Sequence, residues 1–442
     1  MNLFGSSNLI LETITKKNQE NKKGIYSICS SNTFVVKSCM QIAKRDNSIL
    51  LIESTCNQVN QYGGYSGMRP LDFAMFVSKI SKEVNFPQEK IILGGDHLGP
   101  YPWKNDFAKI AMGKSEQMIK EYITAGYRKI HLDASMPCKD DNLSREFTRL
   151  ESAKRAVKLC KVAENQELSN SDKPVYIIGT EVPTPGGQLN MPGELKITSP
   201  QEVLDTIEIY KTEFYQEGLE SAWERVIAIV VQPGVEFSNC KIQEYVSENA
   251  LGLKNLIMNI PGMVYEAHST DYQTRENLRQ MVIDNFIILK VGPALTFAFR
   301  EVVFALATIE EMLLTNRNDL YPSNIIKIIC SEMDNVSNLW IDYICKSESL
   351  FNFARLYGFS DRVRYLWNTP KIKLSIYRLI SNLEKIEIPL TLISQFLPKQ
   401  YRLIREKIIK NNPQEIIIAG IIDVVENYSF ACGLSNVIEK NY

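Results

Sequence analysis

From Gly24 to Val291 the chain alternates two hydrophobic rhythms. Short apolar, β-branched runs read as buried strands, and the longer stretches between them carry apolar residues three or four positions apart, as amphipathic helices do. The strand-like runs are Gly24–Cys29, Ile49–Glu53, Ile91–Gly94, Arg128–Asp133, Pro174–Glu181, Val226–Val231, Met263–His268 and Phe286–Val291. The helix-like stretches are Asn32–Arg45, Met68–Val84, Asp106–Ala125, Leu143–Ala163, Ser199–Glu217 and Thr274–Asp284. Such alternation predicts parallel strands joined by right-handed crossovers. Eight units in about 270 residues predict an α/β fold, a (β/α)8 TIM barrel, with the carboxyl ends of all strands on one rim.

Two of the helices carry start signals, Ser199 ahead of Pro200 and Thr274 three residues before Asn277. After Pro293 a long apolar stretch, Leu295–Leu314, completes the eighth unit. Beyond Asn316 the strand rhythm stops, and helical spacing continues through Ile325–Cys345, Ser349–Tyr357, Ser360–Trp367 and Ile372–Leu383, followed by turns at Ile388-Pro389 and Leu397-Pro398. The expected organisation is a barrel over residues 1–318 and a helical C-terminal extension packed on it over 319–442. Within the extension, Phe359–Trp367 combines a Ser cap with alternating Arg and aromatic residues, which suits either a partner contact or packing against the barrel.

Composition narrows the function. Lys plus Arg (50) nearly cancels Asp plus Glu (51), so no global field draws the 442-residue chain to nucleic acid or to an anionic membrane. The first twenty residues lack the apolar core of a signal peptide, and no run approaches the roughly 18 apolar residues of a membrane helix. Nine cysteines, with no Cys-x-x-Cys pair, fit reduced thiols and a cytoplasmic location. Neither a Walker A loop nor a dinucleotide Gly-x-Gly-x-x-Gly is present, so no nucleotide cofactor is expected.

The chemistry gathers at strand ends. All three histidines, His97, His131 and His268, lie in the predicted strands or at their ends. Because side chains alternate along a strand, His131 shares a face with Asp133, and Glu266 with His268, while Ile130 and Leu132 point the other way, to the helix layer. Glu53 and Glu181 end the second and fifth runs, and Asp96-His97 follow the third. Imidazoles and carboxylates around one opening are what a divalent metal requires, with three protein ligands and an open position. His97, Glu181 and His268 are the expected ligands, Asp133 a fourth or supporting group, and Asp96 the proton carrier beside them. The competing reading is a set of buried hydrogen-bonding groups that tie strand ends together. Gly63-Gly64-Tyr65-Ser66-Gly67, Gly186-Gly187 and Gly292-Pro293 could cradle an anion, but glycine pairs also simply make turns.

Six segments together carry a family resemblance: Leu51–Tyr65 (LIESTCNQVNQYGGY), Gly94–Pro100 (GGDHLGP), His131–Met136 (HLDASM), Gly179–Pro183 (GTEVP), Glu266–Tyr272 (EAHSTDY) and Leu289–Thr296 (LKVGPALT). With Phe359–Trp367 and Ser394–Pro398 in the tail, the chain resembles the GatZ/KbaZ family. These are non-catalytic subunits of class II D-tagatose-1,6-bisphosphate aldolase, formerly labelled tagatose 6-phosphate kinases. The resemblance implies a TIM barrel that assists a separate zinc-dependent catalytic subunit in galactitol, tagatose or N-acetylgalactosamine breakdown. It also implies an alternative, a stand-alone metal-dependent C4 epimerase of a ketose or ketose phosphate, such as D-tagatose and D-fructose. On either reading Asp96, Glu53 and Asp133 are the expected acid/base groups. Asn57, Gln58, His131, Ser269, Thr270 and Gly292 are the expected sugar contacts, and His97, Glu181 and His268 hold zinc. A homo-oligomer is a further expectation.

A more distant likeness to the catalytic class II aldolases matches Asp96-His97 to an acid/base and zinc pair and His268 to a second zinc histidine. Two departures stand out. Gln232 falls near the place of a third zinc histidine, and Asp271 falls where those enzymes have a glycine-rich phosphate loop.

Overall fold

The computed structural model describes residues 4–15, 22–141, 149–179, 195–315, 317–336 and 348–435, side chains at 171 and 348–352 excepted. Eight parallel strands close into a barrel: β1 (Ile25–Cys29), β2 (Leu50–Thr55), β3 (Ile91–Leu98), β4 (Lys129–Leu132), β5 (Val175–Ile178), β6 (Val226–Val230), β7 (Val264–Ala267) and β8 (Phe286–Val291). Each strand pairs with its neighbours in sequence, and β8 closes on β1 with Ile25 opposite Ile288. The expected (β/α)8 TIM barrel is therefore the observed architecture. Crossover helices include Thr33–Arg45, Pro70–Val84, Ala108–Thr124, Arg149–Glu164, Pro200–Gln216, Leu251–Met258, Arg275–Ile283 and Pro293–Leu314. A small antiparallel ribbon, Glu236–Phe237 with Ile242–Gln243, sits between β6 and β7.

The helix starts follow the local chemistry. Ser199 accepts from the Glu202 amide while Glu202 accepts from the Ser199 amide, a reciprocal cap that fixes the entry of Pro200–Gln216. Thr274 caps Arg275–Ile283 through the Asn277 amide.

Three expected boundaries move. β3 does not stop at Gly94 but continues through Asp96 and His97 to Leu98. β5 ends at Ile178, and Glu181, an expected metal ligand, lies outside the described residues. Ser360–Trp367 is not a Ser-capped helix. Asp361 takes a left-handed φ of 42°, only Arg362–Tyr365 forms a 3-10 turn, and the Ser360 hydroxyl contacts Asn239 instead of a helix amide.

The tail helices Ile325–Asn335, Pro370–Lys385 and Pro413–Ala431 bury their apolar faces in the same core as the barrel. In the last of them Ile416, Ile417, Ile421 and Val425 are almost wholly buried. At about 1.5–3 kcal/mol for each such side chain, that helix contributes a substantial share of the shared core. No described helix is long and apolar enough to cross a membrane.

Candidate functional site

The site is built on a defect in β3. Gly95 stands opposite Ile130 and Leu98 opposite Leu132, so β3 advances three residues while β4 advances two. The extra residue is a bulge, and His97 within it has a φ of 50°. A non-glycine residue held there costs about 1–3 kcal/mol, so the fold must over-determine it. His97 Nδ1 lies 2.8 Å from Asp133 Oδ2, and the His97 amide donates to His131 Nδ1 at 3.3 Å. Asp96 Oδ1 sits 3.1 Å from the same His131 nitrogen. His268, at the end of β7, is held by Glu266 at 3.0 Å. The three imidazole rings converge, with centroids 4.9–5.4 Å apart.

Beneath them the barrel lumen is charged. Lys129 Nζ lies 2.5 Å from Glu53 and 2.6 Å from Glu266, and all three side chains are fully buried. These contacts are close in distance but off-line in angle, so the attraction is Coulombic more than directional. Lys290 touches Glu53 and lies 3.0 Å from Asp96. Gly94 makes room for this chain, because a Cβ there would come within 2.5 Å of a Glu53 carboxylate oxygen.

The charges set the protonation states. Burial works against ionised Asp96, but His97, His131 and His268 outweigh it and hold Asp96 well below the usual carboxylate range. Burial likewise opposes Asp133, and the His97 contact overcomes it. For His97 burial lowers the pKa, yet Asp96 and Asp133 raise it to about 9. His268 is shifted the other way, with burial stronger than the pull of Glu266. Burial draws Lys290 down to about 8, with Cys29 acting the other way.

A cavity of about 120 Å³ opens above the cluster. Of the sequence-predicted residues, Asp96, His97, His268, Asn57, Gln58, Ser269 and Gly292 line it. Glu53, Asp133 and His131 are absent from its wall but touch the residues that form it: Glu53 bonds Lys290, Asp133 bonds His97, and His131 meets Asp96. Thr270 is not brought in. Its hydroxyl donates to the Lys290 carbonyl at 2.6 Å and meets Tyr428 of the tail, so it ties β8 to the last helix.

The donor set can be tested against a metal. Asp96, His97, His131 and His268 each offer a ligand atom within 4.8 Å of the others, and His131 Nε2 is buried without a hydrogen-bond partner. Three imidazoles and a carboxylate suit a divalent ion. The set keeps His97 and His268 and adds His131, which had been expected to contact sugar. Gln232, at the place of a third aldolase histidine, turns its carbonyl to the Gly234 and Val235 amides of its own loop. Asp271 accepts from the Gly292 and Ala294 amides at 3.0 and 2.8 Å, taking up the start of the helix that follows β8.

Sequence reasoning missed Lys129, Lys290, Cys29, Arg364 and Tyr365. The two lysines had a signal, as isolated charges inside the apolar runs of β4 and β8. Arg364 and Tyr365 lay in the singled-out Arg and aromatic stretch Phe359–Trp367, but only the packed tail brings them over the rim.

Comparison with known proteins agrees over nearly the whole chain. The family described as D-tagatose-1,6-bisphosphate aldolase subunit GatZ/KbaZ-like matches residues 10–433. The D-tagatose-1,6-bisphosphate aldolase subunit GatZ of Salmonella heidelberg is 44% identical over 424 residues, covering 95% of this chain and 98% of its own. Its Salmonella typhimurium counterpart is similar to the same extent. A solved structure, a probable tagatose 6 phosphate kinase from Sinorhizobium meliloti, superposes with a TM-score of 0.84 at 40% identity, covering 93% of this chain and all of that one.

Proposed function

The chain belongs to the GatZ/KbaZ-like family of D-tagatose-1,6-bisphosphate aldolase subunits, and on that premise we propose that it is the accessory subunit of such an aldolase, stabilising a separate class II catalytic subunit. The observation that carries the reading is the 44% identity over 95% of the chain to subunits of that name. Two features of the barrel support it. A catalytic bisphosphate aldolase needs a third zinc histidine and an open phosphate cradle. Here Gln232 is folded onto its own loop and Asp271 occupies the amides after β8. A subunit that leaves the aldol chemistry to its partner tolerates both. The test is co-purification with a class II tagatose-bisphosphate aldolase catalytic subunit and the half-life of its activity on warming. A stable complex and a longer half-life are expected; no complex and an unchanged half-life would overturn the reading.

A second reading rests on the convergent donor set itself, since a purely stabilising barrel has no chemical use for it. In it His97, His131 and His268 would hold a divalent metal, proposed as zinc, with Asp96 beside it, and the metal would polarise a ketose carbonyl and stabilise an enediolate. Asp133 orients His97 from behind, Glu266 does the same for His268, and Asp96 or the Glu53–Lys290 pair moves a proton. Because C4 of a ketose or ketose phosphate is not α to its C2 carbonyl, C4 epimerisation at such a site would run by retro-aldol cleavage. The C4 hydroxyl would give up its proton as the C3–C4 bond breaks to an enediolate and an aldehyde, and the enediolate would re-add to the aldehyde's other face as the proton returns to the C4 oxygen. Metal content of the isolated chain, with interconversion of D-tagatose and D-fructose or their phosphates lost in His97→Ala, would establish it. A metal-free chain without turnover would remove it.

A further inference from the structure

Seven segments line the cavity, and one of them is the tail. Phe359 packs tilted against Tyr272 with ring centroids 4.6 Å apart, and the Phe359 amide donates to the Asn239 carbonyl at 3.0 Å. Asp361 accepts from Arg300 at 3.1 Å and from Thr296 at 2.5 Å, both on the helix Pro293–Leu314. Held this way, the following turn sets Arg364 and Tyr365 into the cavity wall, where Tyr365 meets the Tyr65 ring edge-on at 4.7 Å.

Besides His97, which Asp96 and Asp133 hold protonated, two cations line this cavity. Lys290 is balanced by Glu53 and Asp96. Arg364 bonds only neutral acceptors, the carbonyls of Ser360 and Asp361 and the Tyr365 hydroxyl at 2.8 Å. Among the described residues no carboxylate lies at ion-pair distance from it. Arg364 is half-buried, and Asp361 and Asp271 act on its charge only from beyond ion-pair distance, so a ligand anion would be its first direct counter-charge. The amides after β8, where an anion would ordinarily bind, are already taken by Asp271.

We propose that Arg364 is the anion-recognition group of the cavity, and that the barrel binds a sugar carrying a terminal phosphate or carboxylate, with the anion at Arg364 and the polyol toward Asp96 and the histidines. The inference stands on the cavity and holds whether or not the chain assists an aldolase. Planar, bidentate bonding makes Arg suited to either anion.

The test is calorimetric titration of the full chain with three probes: D-tagatose 6-phosphate, D-tagaturonate and uncharged D-tagatose. At least one anionic sugar is expected to bind roughly 10- to 100-fold tighter than D-tagatose, the loss expected for one charge-assisted contact. The tighter of the two identifies the anion as phosphate or carboxylate. Arg364→Gln should abolish the preference and Arg364→Lys should keep part of it. Equal affinity for charged and neutral sugars, no binding of any probe, or a preference that survives in Arg364→Gln would overturn the proposal. Should Arg364→Gln fail to fold, the discrimination shown by the unaltered chain decides.

Discussion

Replacing Lys129 by Met keeps the length of the side chain and removes its charge. In the native lumen the ammonium faces Glu53 at 2.5 Å and Glu266 at 2.6 Å, with all three groups out of water. At an effective dielectric of about 20, each contact is worth about 6 to 7 kcal/mol of gross attraction. Desolvation of three ions offsets most of that, so the intact cluster contributes little net stability. The variant differs, because it keeps the desolvated carboxylates and loses the compensating charge. Glu53 retains Lys290, whereas among the described residues Glu266 retains contact with His268 and the more distant pull of His131. Loss of about 3–5 kcal/mol is expected.

The pH dependence gives a second signature. Burial opposes ionised Glu266, but Lys129 and then His268 bring it to about 2, against an ordinary 4.5. Its stabilising contribution is thus complete above about pH 4.5 and is lost as pH falls through about 2. Without Lys129 burial dominates, the folded pKa rises above 4.5, and the variant should gain stability as pH falls from 7.5 toward 5. Urea unfolding of both proteins at pH 7.5 and pH 5, followed by tryptophan fluorescence, measures both effects. A deficit under 1 kcal/mol at pH 7.5, or one that does not narrow at pH 5, would refute the reasoning.

Other consequences follow from burial elsewhere. Desolvation raises the fully buried Glu236 to about 7, so it favours the unfolded state increasingly as pH climbs from 4.5 through 7; Glu236→Gln keeps an acceptor for the Phe237 amide and should be more stable than the native protein at pH 8, on the order of 2–3 kcal/mol, with no gain at pH 4.5, in the same urea assay. Truncation after residue 318 strips the helices that cover Thr33–Arg45 and Pro293–Leu314, and the fragment is expected to aggregate or show no cooperative thermal transition by circular dichroism. A soluble, cooperatively folding 1–318 fragment would show instead that barrel and tail are independent.

The architecture was legible in the sequence because barrel strands are short, buried on both faces and separated by helical periodicity, which leaves a repeating rhythm of Ile, Val and Leu. The same local logic placed Asp96, His97, Glu266 and His268 at strand ends and paired Glu266 with His268 on one face. Period-two reasoning has a limit, however, and β3 exceeds it. Asp96 and His97 are consecutive and should face opposite ways, yet a one-residue bulge with a left-handed His97 directs both toward the histidine cluster. Nothing in Gly-Gly-Asp-His announces that register shift, since it is set by pairing with β4. The role of Lys129 and Lys290 was likewise hidden, although their isolation in apolar runs was visible, because a charge in a strand is tolerable only where the closed barrel supplies carboxylates from other strands. Arg364 lies furthest from local reading. Its sequence neighbourhood suits a partner contact or packing against the barrel, and only Asp361 locked onto Arg300 and Thr296 carries it over the rim. The sequence alone determined the barrel and the end of it where polar groups collect, because both follow from patterns a few residues long. Tertiary structure decided which groups touch, which charges are balanced and which cation faces the cavity, because these depend on contacts between residues hundreds of positions apart.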